Sequence, residues 1–147
     1  MRAMRLFAAL LLAYAGAGHA ELGGPPTQFN AEAATLAFGV TPAGSHYATC
    51  TTALATGTRV SEFVSAQGLV FALAWSGPVM PDLRALLGKH FDTLLAEQAR
   101  MPRAGRANVA VDLPGIVINS GGHMRAFEGS AWLPSELPAG FNADAVR

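Results

Sequence analysis

The sequence predicts a single α+β domain, an antiparallel sheet of about five strands in the order β-β-β-α-β-β with one amphipathic helix packed on one face. Three observations carry that expectation. Short stretches rich in β-branched and aromatic residues lie on both sides of one long helical stripe, glycine- and proline-bearing turns separate them, and the length suits one core.

The first twenty residues stand apart from that domain. "MRAMRLFAALLLAYAGAGHA" opens with Arg2 and Arg5, continues as an apolar run from Leu6 to Ala15, and closes on Gly18, His19 and Ala20. This is the layout of a secretory signal peptide. An apolar run of about 10 residues falls well short of the roughly 20 that span a bilayer as a helix. Cleavage after Ala20 is therefore expected, leaving no stable membrane anchor and a periplasmic or secreted protein. Of the 147 residues, 127 would remain, with eight basic against ten acidic side chains and a formal net charge of −2. Nucleic-acid binding normally draws on a basic excess, so no nucleic-acid partner is expected. Cys50 is the only cysteine. It can form no internal disulfide and is read as a small buried apolar residue.

Residues 21–45, rich in Gly, Pro, Ala and Thr, read as a loosely ordered N-terminal arm in which Asn30 could cap a short helix through Leu36. The α+β domain is placed at 46–147. "HYATCTTAL" and "TRVSEFVS" supply two strands through their Thr, Val, Tyr and Phe content. Gly68 then gives the hairpin loop "SAQG" the left-handed residue it needs. The next strand, "LVFALAW", places Leu69, Phe71, Leu73 and Trp75 on one face and Val70, Ala72 and Ala74 on the other. Being apolar on both sides, it is read as the central strand.

"GPVMPD" breaks that strand and offers Asp82 at the positive end of a helix. Leu83, Leu86, Leu87, Phe91, Leu94 and Leu95 then recur at helical spacing. Gly88 inside the stripe predicts a kink or a close backbone approach, and Pro102 ends the helix. "NVAVDL" with "IVIN", and "MRAFEGSAWLP", read as two more strands, with Gly121 and Gly122 of "SGGH" forming the structural turn between them. The tail "PSELPAGFNADAVR" is expected to lie across the surface.

The run "EFVSAQGLVFALAWSGPVMPDLRALLG", with "SGGHMRAFEGSAWLP" after it and "LGG" behind the leader, resembles a family of short exported proteobacterial proteins, domain of unknown function 2844. The resemblance covers nearly all of the mature chain. It implies export and single-domain organisation, and brings no activity or site residues with it.

Function must therefore be read from residues. The leading expectation is a binding or accessory module without catalysis, acting on an exported protein partner through a sheet edge or the hairpin surface. His123 and Arg125 are its candidate contacts, because residues two apart on one strand share a face. Arg100, Arg103 and Arg106 form a basic cluster suited to anion contact, or simply to the negative end of the helix. The first alternative is a hydrolase-type enzyme using carboxylates or Ser120, although no GxSxG, HExxH or phosphate loop is present. The second is copper binding through His123, against which stands the placement of His123 and Met124 on opposite sides of a strand. His46 and Cys50 lie four apart on a predicted strand, about 13 Å, too far for a thiol–base dyad. His90 reads as a core-edge residue and Trp75 and Trp132 as core. No motif calls for a cofactor.

The leader gives a direct test. The intact mass of exported protein should correspond to a chain beginning at Glu21; recovery from the membrane fraction of a chain that retains Met1 contradicts it.

Overall fold

The computed structural model describes residues 21–26, 34–102 and 108–146. The expected leader, Asn30, Arg103 and Arg106 lie outside them. The fold is α+β, as expected, but the single antiparallel sheet has seven strands rather than five. These are β1 (Ala34–Val40), β2 (His46–Ala53), β3 (Arg59–Ser65), β4 (Val70–Gly77), β5 (Val109–Leu113), β6 (Ile116–His123) and β7 (Ala126–Trp132). Their spatial order is β1-β2-β3-β4-β7-β6-β5.

Two differences account for the added strands. The segment expected to be a loose arm contains β1, which pairs with β2 along its whole length, from Ala34 opposite Thr52 to Val40 opposite His46. The stretch 108–119 is not one strand either, because Pro114 and Gly115 turn the chain between β5 and β6, a dipeptide that favours turns. In consequence "SGGH" is no turn. Ser120 to His123 lie in β6, and the chain reverses at Met124 and Arg125, which takes φ 66°. Gly68 does occupy the β3–β4 turn, with φ 79° and its N–H donating to the Ser65 carbonyl.

β4 also departs from simple alternation. Phe63 pairs with Ala72 and Val64 with Val70, so Phe71 is the extra residue of a β-bulge. Phe71 therefore faces away from Leu73 and Trp75, not with them as alternation predicts. Leu73 and Trp75 join Val60, Ile118, Ala131 and the helical side chains in one core, while Phe71 and Ala72 join Phe63 and Val146 on the other face. The C-terminal segment covers that second face. Phe141 packs edge-on against Phe71 at 4.9 Å and Tyr47 at 5.2 Å between ring centroids.

The helical run from Leu83 to Arg100 consists of α1 (Leu83–Leu87), one 3₁₀ turn at Gly88–His90, and α2 (Phe91–Arg100). Asp82 caps α1, its carboxylate accepting from the Ala85 N–H at 3.1 Å. The break falls at Gly88, whose φ is 52°. Its cause is visible: the Glu21 side chain lies where a Cβ would stand, and its Oε1 accepts from the Lys89 N–H at 3.1 Å. Next to it, Leu22 is almost wholly buried and donates to the Leu86 carbonyl at 3.0 Å, while Gly23 and Gly24 bridge to Val70. The "LGG" segment thus wedges between helix and sheet.

In an ordinary helix interior Gly→Ala stabilises by about 1 kcal/mol. Gly88→Ala should do the opposite, lowering unfolding free energy in urea titration by more than about 1 kcal/mol, because its φ and Glu21 both oppose a side chain. A stabilised variant would show that the break is not imposed by this packing.

Candidate functional site

A concave surface lies at the end of the sheet where β4, β7 and β6 run side by side. Here Trp75 pairs with Gly129 and Gly129 with Ser120, while Ser76 pairs with Glu128 and Glu128 with Gly121. A groove of about 640 Å³ opens on this corner, within the usual range for small-ligand sites. Glycines and serines keep it open. At Gly129 a Cβ would strike the Trp75 indole, so only glycine lets the indole lie flat against β7. Asn108 braces one margin, its Oδ1 accepting from the Gly122 N–H at 3.2 Å. A second groove, about 520 Å³, runs between the helices and the sheet and shares Val109 and Ser120 with the first. Arg84 lies 4.5 Å over the Phe91 ring beside it, a cation–π contact.

Strand alternation sorts the lining. Ser120 and Trp75 project to the helix side, while Ser76, Asn119, Glu128 and Ser130 project to the other. The sheet therefore stands between the Ser120 hydroxyl and the Glu128 carboxylate. The Trp75 indole N–H is buried with no acceptor among the described residues. Glu128 is the charged side chain among the described lining residues of this groove.

The residues singled out from sequence land unevenly. Ser120, Gly121 and Gly122 line the groove. His123 ends β6, opposite Ala126, whereas Arg125 belongs to the turn, so the two do not share a strand face as expected. Met124 beside them is 89% exposed. Arg100 is exposed and bonds Glu97 at 2.6 Å one turn back, the kind of surface pair worth little to stability. No group of three His, Cys, Asp or Glu converges as metal ligands would, among the described residues. Trp75 is core, while Trp132 is half-buried beside the C-terminal segment. Trp75, Glu128 and Asn108 were not legible as members of this groove, since strand pairing brings in the first two and the hydrogen bond to Gly122 the third.

Cys50 and His46 both lie on β2, four residues apart. Cys50 is half-buried rather than buried. Burial, with the Glu62 carboxylate across the strand pair, pushes its thiol up and disfavours the reactive thiolate.

The chain belongs to the family described as a protein of unknown function (DUF2844), which it matches over residues 18–146. No curated protein and no solved structure matches it.

His90 supplies a pH test. Its Nε2 is buried without a hydrogen-bond partner. Burial first, and Lys89 second, push it below the ordinary histidine value against an opposing pull from Glu21. The unfolded chain then binds the proton more readily, so stability is intact above about pH 6.5 and falls as pH drops from there toward the depressed folded value. Melting temperatures of wild type should decline over that window more steeply than those of His90→Gln. Parallel curves would remove His90 from the acid response.

Proposed function

We propose that the protein is an exported binding module without catalysis, whose ligand surface is the β6–β7 hairpin stem and the groove along it. The observation that carries this reading is the groove itself, held open by Gly129, Gly121 and Ser120 and lined by short hydroxyl and amide side chains. Export rests on the basic, apolar and small-residue regions of the leader. It is supported by the anchoring of Glu21 and Leu22, which would leave a firmly held start after cleavage at Ala20.

The lining defines the ligand class. On the face away from the helices, the exposed Ser76 and Asn119 offer donors and acceptors in several directions, and Glu128 adds a negative charge. A carboxylate repels anions and attracts cations at short range. The ligand is therefore an uncharged or cationic polar molecule, with hydroxyl or amino groups rather than phosphate or carboxylate. A role without catalysis is supported by the sheet that stands between Ser120 and Glu128 and keeps a nucleophile from that base.

Thermal melts with separate additions of glucose, putrescine and citrate test the class. A ligand at a hundred times its Kd stabilises by about 2.7 kcal/mol. Glucose or putrescine should raise the melting temperature and citrate should not, and Glu128→Lys should abolish the putrescine response. Stabilisation by citrate alone, or a putrescine response that survives Glu128→Lys, overturns the reading.

A further inference from the structure

The opposite end of the sheet presents a different surface. β1 is a terminal strand, so among the described residues its outward backbone groups meet no further strand of the sheet. Edge strands of monomeric proteins are commonly guarded by charge, proline, bulges or shortness. β1 has none of these: "ATLAFGV" is seven residues long, uncharged and free of proline, and it pairs with β2 without a register shift. The other terminal strand, β5, is shorter and carries Asp112. Leu36, Phe38 and Val40 alternate onto one face of β1 and are 58%, 81% and 58% exposed. Three large apolar side chains so exposed on one strand mark an interaction surface.

We infer that the β1 edge is where two copies of this chain join, β1 against β1 in antiparallel register about a twofold axis through Ala37. Self-complementarity selects this occupant. That axis overlaps all seven residues and sets Leu36 against the partner subunit's Phe38, Ala34 against the partner subunit's Val40, and Thr35 against the partner subunit's Gly39. Every pair is apolar or neutral, and large side chains meet large or small ones on a single face, as cross-strand pairing favours. A near-neutral chain adds little repulsion. The two sheets become one of fourteen strands with an isologous interface. One strand about 23 Å long is a small contact, at the low end for specific interfaces, so the dimer is concentration-dependent. The site lies across the sheet from the groove and needs no ligand in it.

Sedimentation equilibrium of the mature chain, from low to high micromolar concentration, should show a monomer–dimer transition to twice the mass. Phe38→Lys removes it while leaving the circular dichroism spectrum unchanged, since the side chain is exposed. In a Cys50→Ala background, Ala37→Cys meets its own copy on the axis and oxidises to a disulfide-linked dimer, whereas Thr35→Cys faces the partner subunit's Gly39 and does not. A monomer at every concentration, or a dimer indifferent to Phe38→Lys, overturns the inference. Cross-linking through Thr35→Cys but not Ala37→Cys overturns the register.

Discussion

Both cores of this fold depend on one extra residue in β4. Because Phe71 is the bulged position, Val70 faces the helices, Phe71 and Ala72 face the C-terminal segment, and Leu73 faces the helices again. Without the bulge, Phe71 would crowd the side already holding Leu73 and Trp75, and Phe141 would lose the ring it packs against at 4.9 Å. Aromatic pairs in edge-on geometry contribute about 0.5–1.5 kcal/mol beyond the area they bury. Phe71 touches Tyr47, Phe63 and Phe141. The tail is thus fastened through the bulge. A second tie reinforces it, the Thr41 hydroxyl donating to the Ala139 carbonyl at 2.6 Å.

The break at Gly88 sets how much of the other face is covered. An unbroken helix of the same 18 residues would extend about 27 Å, close to the width of a seven-stranded sheet with strands about 4.8 Å apart. Turned by Gly88, the run places Leu87 and Leu94 over β4 to β7 and against Val109 and Val111 of β5. It does not reach Leu36 and Phe38. Glu21 enforces the break from outside the helix, so a residue far from the helix in sequence helps to decide which end of the sheet remains open.

What the sequence revealed follows from how local each signal is. The strands at 46–53, 59–65 and 70–77 and the leucine stripe were legible because their patterns lie in consecutive residues. Gly88 was legible as a disturbance of its own helix. β1 was missed since "ATLAFGV" sits among prolines and glycines, and nothing within it discloses that β2 will accept it. "SGGH" was misplaced for a related reason: Gly122 does take φ 129°, but inside a strand, where Asn108 of a neighbouring segment satisfies its N–H. The reversal itself falls on Met124 and Arg125, and a positive φ at arginine is not expected from residue type. The groove was half legible. Ser120 to Gly122 drew notice as a cluster, while Trp75, Asn108 and Glu128 arrive by pairings across three other segments.

Transverse rows of the sheet explain why its two ends differ in shape and covering. One row runs Leu36, Cys50, Glu62, Leu73, Ala131, Ile118, Val111 across all seven strands on the helix face. It is apolar at both margins, but among the described residues helices cover only the Val111 end, so Leu36 stays exposed. The adjacent row runs Ala34, Thr52, Val60, Trp75, Gly129, Ser120, Val109. There the side chains shrink after Trp75 to glycine and serine, which leaves the helix face of the sheet hollow between Trp75 and Val109. Side-chain size along one row and helix reach along the next therefore give the sheet a hollowed end and an uncovered apolar edge. Neither surface requires the other, so an altered β1 can leave the groove intact.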